Sequence, residues 1–72
     1  MSTKRQLTAI IEREGDGYVA LCPDLDIASQ GDSVEDARSN LIEALTLFFE
    51  EADQSEIDRR VKRDVFITRV EV

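Results

Sequence analysis

The chain has 72 residues, 42% hydrophobic and 35% charged, with a formal net charge of −7, a sequence pI near 4.4 and no histidine. This length allows one small domain over residues 1–72, and the apolar content argues against disorder. The negative charge disfavours binding to free nucleic acid, and the lack of histidine excludes His-dependent metal sites and nucleophilic triads. We therefore expect a binding protein and not an enzyme.

The first predicted element is a β-hairpin. Polar and apolar residues nearly alternate over residues 6–12, which is typical of a strand with one buried face. Residues 15–17, Gly-Asp-Gly, can adopt the positive φ that a tight turn needs. Residues 18–22 are apolar and follow that turn directly. The pattern therefore predicts two antiparallel strands joined by a short turn.

The middle of the chain predicts a third strand and a helix. Pro23 cannot donate a ladder hydrogen bond, so residues 23–26 are expected to form a turn before a strand at 27–30. Ser33 is positioned as an N-cap, with Asp36 at the spacing of a capping box. Apolar residues then recur three and four apart, which predicts a helix that runs to about Ala52.

The last third of the chain predicts a short second helix and a final strand. Ser55 is the expected cap of the helix, and residues 64–72 are rich in β-branched side chains. The predicted fold is α+β, with element order βββαβ, sheet order 3-2-1-4 and one main helix on one face. Leu47 and Phe49 lie off the main apolar stripe of that helix. They are our expected interface of a homo-oligomer, either a dimer or a tetramer.

Few residues suggest chemistry. Asp24, Asp26 and Asp32 could in principle hold a hard cation, but their spacing matches no known loop, and turn and cap roles suit them better. Cys22 ends an apolar strand and is expected to be a small buried side chain. With one cysteine in the chain no internal disulfide can form, which favours a cytoplasmic location. We expect no metal and no cofactor.

The one basic cluster lies close to the predicted second helix. It consists of Arg59, Arg60, Lys62 and Arg63. Four cations in five residues could meet phosphates, but acidic residues flank the cluster on both sides and no aromatic residue is interleaved for base stacking. We therefore expect the cluster to pair within the chain or to face solvent.

The central stretch resembles a known family. Residues 18–37, YVALCPDLDIASQGDSVEDA, and 40–45, NLIEAL, are similar to the HicB-like antitoxins, and in particular to a short branch without a DNA-binding segment. The resemblance implies a partial ribonuclease H-like fold. It also implies an antitoxin that binds and neutralises a small basic HicA-like toxin that cleaves mRNA. The residues that match the family signature and are the candidate contact surface are Asp24, Leu25, Asp26, Gln30 and Asp32.

Two other functions stay open at this point. The chain could be an orphan homo-oligomeric domain that serves as a scaffold or holds a small ligand. A metal-dependent nuclease activity inherited from the fold ranks last, because no metal-binding carboxylate set is identifiable.

Overall fold

A computed structural model describes residues 6–61 and 65–72 of the chain. Its elements in chain order are β1 (Ile10–Glu14), β2 (Gly17–Cys22), β3 (Ile27–Gly31), α1 (Val34–Glu51) and α2 (Gln54–Val61). The three strands form one antiparallel sheet in the order β1-β2-β3. Helix α1 packs on one face of the sheet, mainly over β3 and β2. The predicted α+β class, the helix on one face and the short second helix are confirmed.

β1 begins four residues later than the alternation predicted. Ile10 pairs with Leu21, so Ala9 and Cys22 would form the next pair. β2 ends at Cys22, because Pro23 follows it and has no N–H for the ladder. The chain before β1 is fixed in another way: the backbone N–H of Thr8 donates to Asp24 Oδ2 at 3.1 Å.

The two turns of the sheet follow the predicted chemistry. Glu14 pairs with Gly17, and between them Gly15 adopts a φ of 61° at the first position of a two-residue loop, as in type II′ hairpins. In the β2–β3 turn, the Leu25 N–H donates to the Cys22 carbonyl at 3.3 Å. Asp26 takes the left-handed φ of 59°, which Asp tolerates better than most residues.

The predicted start and end of α1 are both confirmed. Ser33 caps the helix, and its Oγ accepts a hydrogen bond from the backbone N–H of Asp36 at 3.0 Å. Ala52 is the C-cap. The first turn lies so close to β3 that a Cβ on Gly31 would stand 2.4 Å from the backbone nitrogen of Ala37. A glycine at the end of β3 is therefore what lets the helix pack onto the sheet.

The core is small and lies between the sheet, α1 and the β2–β3 turn. Its buried members are Ala20, Cys22, Leu25, Ala37 and Leu41, with half-buried apolar side chains around them. Leu25 and Leu41 are the largest side chains that are fully enclosed. Burial of the Cys22 side chain matches the prediction for that residue.

The cap of α2 differs from the predicted one. Asp53, not Ser55, caps the helix: Asp53 Oδ1 accepts hydrogen bonds from the Glu56 backbone N–H and the Ser55 hydroxyl, each at 2.9 Å. The N–H bond from Glu56, followed by the hydroxyl of Ser55, lowers the pKa of Asp53 from its ordinary value. Asp and Ser are both good caps, so composition alone could not separate them.

The predicted last strand is not formed in the part of it that the structure describes. Residues 65–72 have no secondary structure and pair with no strand of the sheet, and Asp64 lies outside the described residues. Of the predicted sheet order 3-2-1-4, the described residues form the 3-2-1 part and not the fourth strand. Among the described residues, no strand pairs with this β-branched segment.

Candidate functional site

An acidic hollow lies where the β1–β2 hairpin, the end of β3 and the start of α1 meet. The register places Val19 opposite Gln30 and Tyr18 opposite Gly31, which brings the two strand ends together. The hollow holds about 640 Å³. It is lined by Glu14, Gly17, Tyr18, Val19, Gln30, Gly31, Asp32, Asp36 and Asn40. We call these residues the acidic hollow.

Two hydrogen bonds between side chains and the backbone hold the walls of the acidic hollow in place. Asn40 Nδ2 donates to the Gln30 carbonyl at 2.7 Å and so ties α1 to β3. The Ser33 cap holds the first turn of α1 beside it. The carboxylates of Glu14, Asp32 and Asp36 are exposed around these walls. An open hollow with three carboxylates and no cation among its lining residues attracts guanidinium and ammonium groups.

The structure divides the predicted contact residues between the two ends of β3. Gln30 and Asp32 lie in the acidic hollow, while Asp24, Leu25 and Asp26 belong to the β2–β3 turn at the opposite end. The five residues of β3 separate Asp26 from Asp32, and the six residue-to-residue steps correspond to roughly 20 Å in an extended chain. One small contact patch therefore cannot include all five.

Two of the turn residues have structural roles. Asp24 is half-buried and accepts the Thr8 N–H, so it anchors the chain before β1. The Leu25 side chain is 0% exposed. It presents no surface to a partner, because the turn folds it under the sheet and into the core, and we remove it from the contact surface. Asp26 is exposed at the tip of the turn.

Arg60 of the basic cluster is a structural residue. Its guanidinium donates to the Leu25 carbonyl at 2.9 Å, lies 3.3 Å from a carboxylate oxygen of Glu56 and stands 5.2 Å from the ring centroid of Phe48. These contacts join α2 to the β2–β3 turn and to α1. The expected pairing within the chain is thus present at Arg60, whereas Lys62 and Arg63 lie outside the described residues.

A second concave feature runs between the chain before β1 and helix α1. It holds about 1000 Å³. Its lining is Gln6, Leu7, Thr8, Ala9, Arg38, Leu41, Ile42, Leu45, Thr46, Phe49, Glu50, Gln54 and Ile57. We call it the β1 groove. Its lining combines apolar side chains of α1, such as Leu45 and Phe49, with polar and charged ones, including Arg38 and Glu50. Sequence reasoning missed it, since it depends on where α1 crosses the sheet.

Leu47 and Phe49 do not form one surface. They are two residues apart on a helix, which places them about 200° around its axis from each other. Leu47 is 51% exposed, whereas Phe49 is half-buried, packs against the core and lines the β1 groove. The rings of Phe48 and Phe49 contact edge to face at 5.3 Å. A single oligomer interface built on Leu47 and Phe49 together is therefore replaced by two separate apolar sites.

The described residues were compared with the requirements of a metal site and of a reactive thiol. No group of three or more His, Cys, Asp or Glu among residues 6–61 and 65–72 is arranged to hold a metal ion. Desolvation by burial is the main cause that raises the pKa of the Cys22 thiol from its ordinary value of 9.0, so the thiolate is disfavoured. None of the helices in the described ranges is long and apolar enough to cross a membrane.

Comparison with known proteins gives two relatives of similar length. A UPF0150 protein of Synechocystis sp. is 44% identical over 50 residues, which cover 67% of this chain and 69% of the relative. A UPF0150 protein of Helicobacter pylori is 33% identical over 67 residues, which cover 92% of this chain and 93% of the relative. No family model and no solved structure gives a significant match. The chain therefore belongs to the UPF0150 family.

Proposed function

We propose that this chain is a HicB-like antitoxin that binds and neutralises a small basic toxin that cleaves mRNA. The acidic hollow is the observation that carries the proposal. Three carboxylates, Glu14, Asp32 and Asp36, surround a frame held by backbone hydrogen bonds, on a chain whose net charge is −7. A surface of this kind suits the cationic face with which an RNA-binding protein contacts phosphates.

The mechanism in this proposal is occlusion. The antitoxin covers the cationic surface of the toxin and so excludes the RNA. Long-range attraction between opposite charges speeds the encounter, and arginine–carboxylate hydrogen bonds hold the complex. The names of the two relatives state no activity, so support comes from the acidic hollow and from the resemblance of residues 18–37 to the HicB-like antitoxins.

A pair of charge-matched variants tests the proposal. The ligand is the small basic protein expected from the neighbouring frame of the same operon, and its affinity for the chain is measured by titration calorimetry at two salt concentrations. Glu14→Gln with Asp32→Asn removes two charges from the acidic hollow. Glu43→Gln with Glu51→Gln removes two exposed charges elsewhere, on α1.

We expect the acidic-hollow variant to bind about tenfold more weakly and with a smaller dependence on salt, while the control keeps the native affinity. Equal affinities for the two variants would remove the acidic hollow from the interface. Absence of any binding to the neighbouring product would remove the antitoxin function itself.

The alternative function is an orphan homo-oligomeric scaffold or small-ligand domain with no cognate toxin. The β1 groove favours it, because a groove of about 1000 Å³ that exposes apolar side chains beside an open edge of the described sheet suits a partly apolar occupant. The same titration separates the two functions. A chain that self-associates but ignores the neighbouring product would support the scaffold.

A further inference from the structure

Residues 65–72 expose apolar side chains that a folded domain normally buries. The exposed fractions are 88% for Phe66 and 81% for Val70, and Val72 is fully exposed. In an extended chain alternate side chains share a face, so these three lie on one side with Thr68. Arg69 and Glu71 lie on the other. The segment therefore has the sequence of a strand with one apolar face and one partly polar face, and it pairs with none of the described strands.

The single chain also exposes more surface than a monomer of its mass. Its accessible area is 6025 Å², whereas the scaling for folded monomers gives about 4500 Å² at this mass. Its radius of gyration is 13.5 Å, against about 11 Å for a compact domain of this length. The excess of about 1500 Å² per chain is more than the roughly 800 Å² that each partner of a standard protein–protein interface buries.

The β1 groove offers a matching place for such a strand. β1 is an edge strand that pairs with β2 on one side, and no described strand occupies its other side. Because α1 packs mainly over β3 and β2, apolar side chains of α1 face an open groove whose other wall is formed by residues 6–9, directly before β1. A strand added to this edge would gain ladder hydrogen bonds and cover those side chains.

We propose that residues 65–72 of a second copy of this chain pair along the free edge of β1 and fill the β1 groove. The exchange is reciprocal, so one two-fold dimer places both segments in grooves and leaves no open edge at β1. Phe66, Val70 and Val72 face the groove, and Arg69 and Glu71 face away from it. The occupant is a second copy because no residue of the described segment 65–72 lines the groove of its own chain.

This interface differs from the proposed toxin contact in its response to salt. Each copy carries a net charge of −7, so two copies repel each other while the buried contact is apolar. Added salt therefore strengthens the dimer, whereas it weakens a complex between the acidic hollow and a basic protein. An experiment can therefore reject the dimer without rejecting the antitoxin function, and the reverse.

Sedimentation equilibrium of the full chain, with one variant on each face of the segment, is the first test. Val70→Asp and Arg69→Ala both lower the net charge by one, but only the first places a charge in the β1 groove. We expect a dimer for the native chain and for Arg69→Ala. We expect the dissociation constant of Val70→Asp to rise about 100-fold, from a tenfold loss at each of two symmetry-related contacts. A monomeric native chain, or equal effects of the two variants, overturns the proposal.

Cross-linking between copies is the second test, and it does not depend on a destabilised variant. In a Cys22→Ala background, one preparation carries Ala9→Cys in the β1 groove and another carries Val70→Cys. The two are mixed, refolded together and treated with a short bismaleimide. The proposal predicts a cross-link between the two kinds of chain. A chain that carries both cysteines and links mainly within itself at high dilution would show that the segment fills its own groove, and would overturn the exchange.

Discussion

Replacement of Arg60 by alanine is expected to destabilise the chain by about 2 kcal/mol. The guanidinium bond to the Leu25 carbonyl, 2.9 Å long, is the main contribution, at about 1.5–3 kcal/mol for a charged donor. The ion pair with Glu56 adds about 0.3–0.5 kcal/mol, because both side chains are partly exposed. The contact with the Phe48 ring adds about 0.5–1 kcal/mol. These contributions share one side chain and do not add fully, so the expected total lies slightly below the lower end of their sum.

Urea unfolding followed by circular dichroism at one fixed protein concentration measures this effect. The fixed concentration matters because self-association shifts apparent stability. In thermal unfolding at the same protein concentration, the melting temperature should fall by about 8–16 °C for a domain of this size. Arg59→Ala is the matched control, since it removes the same charge from the exposed side of the same helix. If the two variants were equally stable, Arg60 would not tether α2 to the β2–β3 turn, and the account of the basic cluster would be refuted.

Three further predictions concern the backbone and the titrating groups. Gly31→Ala should cost about 2–3 kcal/mol in urea unfolding, because its Cβ would stand 2.4 Å from the Ala37 nitrogen; a native-like stability would contradict the close approach of α1. Because burial raises the pKa of Cys22, the thiol of the unfolded chain ionises first, and the free energy of unfolding should decline as the pH rises above 9.0. A Cys22→Ala variant should lose this pH dependence when unfolding is measured at several pH values. Asp53→Ala should increase the amide exchange rate of Glu56, and an unchanged rate would argue against the cap. In the native chain the pKa of Asp53 is lowered, so the cap should be retained down to a pH below 3.8.

Local chemistry was enough to predict most of the fold. The Gly15 turn, the Ser33 cap and the apolar periodicity of α1 each depend on neighbours within a few residues, and each is found as predicted. β1 was misplaced by four residues at its start, since its length depends on where β2 stops pairing. That limit is set by Pro23, which directly follows β2 and is distant in sequence from β1.

The candidate site could be predicted only in part. Gln30 and Asp32 were identified from the resemblance, but the hollow also needs Glu14, Asp36 and Asn40, which the strand register and the helix cap bring together. Leu25 was a candidate contact residue because it lies in the stretch that matches the signature of the HicB-like antitoxins. Its complete burial depends on packing against α1 and the sheet, and no local pattern reports that.

Residues 65–72 show the limit of reasoning about one chain. Their composition is that of a strand, yet the sheet of the same chain does not include them. A strand propensity states that a segment fits a pleated, half-buried surface and does not state which molecule provides that surface. The apolar face of the segment and the open edge of β1 agree with a partner strand that comes from a second copy.

Rescue of growth tests the proposed antitoxin function most directly. The neighbouring frame is expressed from an inducible promoter, alone or together with this chain or with its Glu14→Gln and Asp32→Asn variant. The proposal predicts that the neighbouring product arrests growth, that the native chain restores it, and that the variant restores it less well at equal protein level. Growth that is arrested to the same extent with and without the native chain would contradict neutralisation by the acidic hollow.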